Sequence, residues 1–276
     1  IKNMTGTCLE QVRKKSPLIH NITNYVTVND VANIILACGA SPIMADEKDE
    51  VEEITALCQG LNINIGTLNQ RTIGAMILAG KKANQPGNPV VFDPVGAGAS
   101  TLRTQTALKL MEEIKFTAIR GNMSEIKTLA YGSGKTKGVD ADQTDSVTEE
   151  NLETSIEFVK EFAGSTGCIL AVTGAIDLVS DAGQCYVIRN GKPQMGKITG
   201  TGCQLSGMLT AFLAANRDHP LQAAAEAVCA MGAAGELGWK ALQPSEGNAT
   251  YRNRIIDAVS QMDGQLLKEE AKYEIR

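Results

Sequence analysis

Apolar residues fall into short runs separated by longer stretches of helical period, and the alternation predicts a regular succession of strands and helices. Residues 18–22 (Leu18-Ile19-His20-Asn21-Ile22) read as a strand, and residues 29–38 as a helix ended by Gly39. Ser41-Pro42-Ile43-Met44 is a short extended piece, and residues 51–58 are helical up to Gly60. Residues 61–65 alternate apolar and polar positions, and residues 70–84 form a helix stopped by Pro86-Gly87. Residues 89–93 are a buried strand, 102–114 the next helix, 117–120 a strand, and 122–131 a helix. Further on, residues 148–162 are expected to be a helix capped by Thr148, with Glu149 and Glu150 in a first turn that favours negative charge. Residues 168–172 are a fully apolar strand, and 177–180 with 185–189 a hairpin around Asp181-Ala182-Gly183. Three helices complete the pattern, at 203–215, 221–240 and 252–270.

Strands separated by helices imply a parallel sheet covered by helices on both faces. Residues 132–145, rich in Gly, Lys and Asp, are expected to be a surface loop. No repeat and no linker divides the 276 residues, so the expectation is one α/β domain over residues 1–276.

Composition narrows what such a domain does. Against 31 Asp+Glu stand 26 Lys+Arg, a net charge of −5, which leaves no electrostatic footprint for nucleic acid or an anionic membrane. Aromatic residues are 4% of the chain and glycines number 27, a balance that suits close helix–sheet packing better than base stacking. No apolar run approaches the roughly 20 residues that span a bilayer, and Ile1-Lys2-Asn3-Met4-Thr5 has no long apolar signal core. The 7 cysteines are scattered without a Cys-x-x-Cys pair. That argues against a disulfide framework or structural zinc and for a cytoplasmic protein.

Candidate chemistry lies in the turns. Gly132-Ser133-Gly134-Lys135-Thr136 has the tail of a Walker A loop, but Leu129 stands where a Gly is required and a helix precedes instead of a strand, so it reads as surface loop. Thr199-Gly200-Thr201-Gly202-Cys203 opens an apolar helix; two glycines there let backbone N–H groups reach an anion, although the same pattern also makes a plain tight turn. Leu205 replaces the third Gly of a dinucleotide fingerprint. Asp93-Pro94-Val95-Gly96-Ala97-Gly98 ends a buried strand, where open α/β sheets bind ligands, and a carboxylate there suits a metal-bound polyphosphate. In Arg120-Gly121-Asn122-Met123-Ser124-Glu125, Arg is a bidentate phosphate ligand and Glu a hard donor for Mg²⁺. A cap for Asp93 and a surface ion pair for Arg120 and Glu125 are the plainer readings of each alone; three strand ends carrying such groups together favour a site. Hydrolysis is set aside: only His20 and His219 could serve as a base, the first within an apolar strand and the second in a loop, and no Gly-x-Ser-x-Gly elbow occurs.

Six segments in order carry a more specific signal. These are residues 16–24, Gly39-Ala40-Ser41-Pro42-Ile43-Met44, Asn64-Ile65-Gly66-Thr67-Leu68, residues 93–98, Arg120-Gly121-Asn122-x-x-Glu125 and residues 199–203. Together they resemble the hydroxyethylthiazole kinase family of thiamine salvage, a branch of the ribokinase-like superfamily, over nearly the whole chain. The resemblance implies a three-layer α/β/α fold with a mostly parallel central sheet. It also implies Mg-ATP-dependent phosphorylation of the hydroxyl of 4-methyl-5-(2-hydroxyethyl)thiazole, in a homotrimer with sites at subunit interfaces. By the same resemblance Asn24, Met44 and Gly200 are expected to bind the thiazole, Asp93 and Glu125 Mg²⁺, and Arg120 and Thr173 ATP. Cys203 is expected beside the substrate hydroxyl as its base, where the wider superfamily generally has Asp. An unperturbed thiol has a pKa of about 8.5, so it serves less readily at neutral pH than a carboxylate would. Asn24-Tyr25 replaces the two adjacent Asn common in the family, which bears on the thiazole pocket or the subunit contact. The alternatives are a sister kinase for a hydroxymethylpyrimidine or pyridoxal-type alcohol, a nucleotide-dependent hydrate dehydratase on the same fold, and a precursor-binding protein without catalysis.

Overall fold

In a computed structural model of the chain, residues 4–132 and 146–276 are described. The Walker-like segment, apart from Gly132, and most of the expected 132–145 loop lie outside them. Among the described residues nine strands form one sheet: β1 (Leu18–Ile22), β2 (Ser41–Met44), β3 (Gly60–Asn64), β4 (Val90–Asp93), β5 (Ala118–Gly121), β6 (Ile169–Val172), β7 (Asp177–Ser180), β8 (Cys185–Ile188) and β9 (Tyr273–Ile275). Their order is β2-β1-β3-β4-β5-β6-β7-β8-β9. The pairs from β2 to β6 are parallel and those from β6 to β9 antiparallel. The parallel strands are joined by helices, as the alternating pattern requires.

One face of the sheet packs against α1 (Thr7–Lys15), α2 (Val28–Cys38), α8 (Thr201–Ala215), α9 (Pro220–Lys240), α10 (Asn248–Gln261) and α11 (Gly264–Glu270). The other packs against α3 (Val51–Leu57), α4 (Gln70–Asn84), α5 (Thr101–Glu113), α6 (Met123–Tyr131) and α7 (Leu152–Thr166). Two cores thus lie on either side of the sheet, giving three layers. Helix α8 is buried from Cys203 through Ala215, in keeping with its nearly unbroken apolar sequence. The alternation in β3 has an unusual meaning. All of Gly60–Asn64 is buried, and the polar positions Asn62 and Asn64 lie inside the protein rather than at the surface.

Two expected elements differ. The helix expected from Thr148 begins at Leu152, with Asn151 as N-cap. The Thr148 N–H donates to Asn151 Oδ1, and Glu149 is drawn aside into a two-pronged ion pair with Arg189. The expected helix over 252–270 is two helices, α10 and α11. The chain turns extended at Met262, which is fully buried, and Asp263 caps α11 by accepting the Leu266 N–H at 2.8 Å. Sequence periodicity also left α1 and β9 unmarked.

Candidate active site

The parallel half of the sheet delivers its strand ends to one rim. Register sets Asn64, the last residue of β3, beside Asp93, the last of β4. Arg120 of β5 pairs with Ala171 of β6, and Thr173 directly follows β6. Helix α8 opens over this rim with Gly200 as its N-cap at φ 89°, a left-handed conformation that favours glycine. A Cβ on Gly200 would stand 2.4 Å from Thr27 Cγ2, and one on Gly202 2.4 Å from Arg120 Nη1. The second glycine is therefore what lets the guanidinium lie against the first turn of α8. The leading N–H groups of that turn have no intrahelical acceptor, and no side chain caps them.

Hydrogen bonds knit the converging residues into one network. Asp93 is fully buried, and its Oδ2 accepts from Arg120 Nη2 at 2.7 Å, Ser206 Oγ at 2.7 Å and Asn64 Nδ2 at 3.1 Å. Ser206 Oγ in turn accepts from Arg120 Nε at 3.1 Å, and Thr173 Oγ1 from Arg120 Nη1 at 3.2 Å. Cys203 Sγ lies 3.3 Å from both Asn24 Nδ2 and Asn64 Nδ2 and accepts from each. Breaking a buried pair such as Arg120–Asp93 by removing one member strands the other charge away from water, at a cost of about 3–5 kcal/mol.

Glu125 joins this site from α6. With Asn122 it forms a capping box, Oε2 accepting the Asn122 N–H at 2.8 Å, while Oε1 accepts the Gly96 N–H at 2.9 Å. The cap thereby ties the Gly96 turn after β4 to the start of α6. Burial pushes the Glu125 carboxyl above its usual range, and Arg120 pulls it back in part. The surface ion pair that is the plainer reading of Arg120 and Glu125 does not form: Arg120 is buried and pairs with Asp93, and Glu125 caps α6. Among the described residues no cluster of three or more His, Cys, Asp or Glu side chains could hold a metal ion. Asp93 Oδ1, buried and without a hydrogen-bond partner, is an acceptor that the network leaves unused.

Beside the network opens a cleft of about 490 Å³, lined by Arg120, Thr173, Gly174, Asp177, Lys192 and Gly202 among others. That volume is in the range of small-molecule sites. Asp177, at the start of β7, holds the Thr173-Gly174 turn by accepting the Gly174 N–H at 2.8 Å, and burial pushes its carboxyl up to about 7.

The structure brings together Asn24, Asp93, Arg120, Glu125, Thr173, Gly200 and Cys203. Met44 stands further out, at the end of β2, in register with Asn21 of β1. His20 is fully buried, with its ring nitrogens 2.9 Å from Thr55 Oγ1 and 2.8 Å from the Ala45 carbonyl oxygen, and burial lowers its pKa; His219 is an exposed residue ahead of α9. Sequence reasoning gave no role to Ser206, Asn64 or Asp177. Ser206 had a signal, since three residues after Cys203 it shares that helix face. Asn64 lay in a quoted motif without an assignment. Asp177 had no signal, because burial in a cleft is not written in local sequence.

Comparison with known proteins gives the family. The Hydroxyethylthiazole kinase family matches residues 9–265. Hydroxyethylthiazole kinase of Clostridium acetobutylicum is 60% identical over 266 residues, covering 96% of this chain and 97% of that protein. A solved structure of a hydroxyethylthiazole kinase protein from Pyrococcus horikoshii superposes with a TM-score of 0.85 at 32% identity, covering 98% of each chain. A ribokinase-like superfamily protein from Enterococcus faecalis, 12% identical with a TM-score of 0.63 over 98% of this chain and 96% of its own, shares the fold.

Proposed function

Since the chain belongs to the hydroxyethylthiazole kinase family, we propose that it transfers the γ-phosphoryl group of ATP to the hydroxyl of 4-methyl-5-(2-hydroxyethyl)thiazole. The observation that carries this reading is the buried hydrogen-bonded chain from Cys203 through Asn64 and Asp93 to Arg120, beside a cleft roofed by the N-terminus of α8. Phosphoryl transfer asks a protein for in-line placement and charge stabilisation more than for covalent chemistry. Arg120 and Thr173 hold the ATP phosphates from the strand ends. The free N–H groups of the first turn of α8, from Gly200 to Cys203, receive the developing negative charge. Asn24, Met44 and Gly200 seat the thiazole, and Cys203 takes the proton of its hydroxyl. Asn24 anchors this side of the site, because its Oδ1 also accepts from the Val26 and Thr27 N–H groups.

Two carboxylates and a polyphosphate make a hard-oxygen donor set that fits Mg²⁺, an ion that keeps several waters. Asp93, through its unpartnered Oδ1, and Glu125, through water, would hold it. When bound, Mg²⁺ neutralises charge on the phosphates.

Further parts of the reading are a cytoplasmic location and a homotrimer with sites at subunit interfaces. Supporting the first, all seven cysteines are free and buried, and no described helix is long and apolar enough to cross a membrane. Supporting the second, Tyr25 and Val26, next to Asn24, are 80% and 58% exposed, an apolar pair at the edge of the site.

The test is a panel of alcohols with Mg-ATP, read by ADP release. Hydroxyethylthiazole is expected to exceed pyridoxal and hydroxymethylpyrimidine in kcat/KM by at least about 10²-fold, within the range that shaped pockets discriminate. Equal or greater turnover of either rival would overturn the substrate assignment.

A further inference from the structure

Asn64 has a bonding pattern that leaves nothing free. Its Oδ1 accepts the backbone N–H of Gly66 at 2.9 Å and the Asn24 Nδ2 at 3.0 Å. A backbone N–H can only donate, so this contact fixes which end of the amide is oxygen. The two remaining N–H groups then have defined targets, Asp93 Oδ2 at 3.1 Å and Cys203 Sγ at 3.3 Å. The residue is 1% exposed. Asp93 is the partner of Arg120 at 2.7 Å, so the amide stands between the phosphate-binding side of the site and its sulfur.

We propose that Asn64 is a positioning residue for phosphoryl transfer, a single amide that fixes the Cys203 sulfur and the Asp93–Arg120 pair relative to one another. This rests on the reading of Cys203 and Arg120 as base and phosphate ligand. The two groups act on opposite ends of the same in-line displacement, and they reach the rim from different elements, α8 and β5. The backbone of Gly66 and the register of β3 on β4 hold the amide still. Asn24 supports it from the acceptor side and donates to the same sulfur, so Sγ is an acceptor twice over.

The informative variant is Asn64→Asp, which keeps the shape and both accepting contacts but loses both donors. It also turns a charge towards Asp93 and the sulfur. Asn64→Ser is the fallback should Asn64→Asp fail to fold by its thermal transition. Two readouts apply to the enzyme. Misplacement of reacting groups by about 1 Å is expected to lower kcat on the order of 10²-fold. In a Cys203→Ala background the same change should lower kcat much less, because one end of what the amide positions is already missing. Independently of catalysis, alkylation of Cys203 by iodoacetamide, followed by peptide mass spectrometry, should slow several-fold relative to wild type. A folded variant that keeps wild-type kcat and alkylation rate overturns the proposal, and so does an equal loss of kcat in both backgrounds. The kinase reading fails separately: wild type would then form no phosphorylated thiazole, while the alkylation comparison still decides what Asn64 does.

Discussion

A thiol is an unusual choice for taking a proton from an alcohol. At neutral pH a free thiol is mostly protonated, whereas a carboxylate is ionised. Replacing Cys203 by Ala is therefore expected to lower kcat by about 10²-fold, the usual worth of a general base, while Cys203→Asp should retain or raise it. Initial-rate kinetics decide this, and an unchanged kcat in Cys203→Ala would make the residue mere packing. Asp177 gives the site a pH dependence. Its carboxyl titrates at about 7 rather than its ordinary 3.8, chiefly because of burial. Below that pH it is neutral, and above it a negative charge faces the cleft proposed for the triphosphate. The KM for ATP should thus rise between pH 6 and 8, roughly spanning that titration, and Asp177→Asn should flatten the rise; parallel profiles for the two proteins would contradict it. The sign for stability is the same. A folded-state pKa above the unfolded one contributes stability that is complete below the unfolded value and lost as pH climbs through 7. Of the residues, Asp93, Arg120, Glu125 and Cys203 were legible because each sits at the end of a strand or the start of a helix next to a glycine turn. Asn64 was visible but unassigned, since only the pairing of β3 with β4 shows that its amide faces a carboxylate.

Helix α8 illustrates how an element makes these residues usable. Its two leading glycines do different jobs, and substitution should separate them. Gly200 has φ 89° and no room beside Thr27, so Gly200→Ala strains the backbone by about 1–2 kcal/mol or more and should lower Tm by several degrees. Gly202 lies within the helix at ordinary dihedrals, and its Cβ would meet Arg120 Nη1 instead. Gly202→Ala should therefore raise the KM for ATP about tenfold, equivalent to roughly 1.4 kcal/mol, as the guanidinium that pairs with Asp93 is pushed aside. Thermal melts and ATP titrations of both variants check the division; a Tm loss confined to Gly202→Ala would reverse it. Elements with strong apolar period and clear stops were read correctly from sequence, α4 and α9 among them. The start of α7 was misread because Thr148 has the residue type of a cap, whereas its N–H is taken by Asn151 Oδ1 and the helix begins only at Leu152. The break between α10 and α11 carried a local cue, Asp263-Gly264, overridden by the apolar period on either side.

At the scale of the molecule, the mostly parallel sheet and its two helical layers follow from the alternation of strand and helix. The hairpin of β7 and β8 was also legible, but its placement beside β6 and the closing of the edge by β9 depend on pairings far apart in sequence. The architecture gathers residues from four successive parallel strands, β3 to β6, and the start of α8 at one rim, so that motifs far apart in sequence meet in one place. What the whole molecule does is decided by the fate of the phosphoryl group. Incubating the purified chain with Mg-ATP and 4-methyl-5-(2-hydroxyethyl)thiazole, and quantifying products by mass spectrometry, is the most direct measurement. The expected product is the thiazole phosphomonoester, in amounts equal to the ADP formed. ADP and inorganic phosphate beside unchanged thiazole, or no nucleotide cleavage at all, would contradict it.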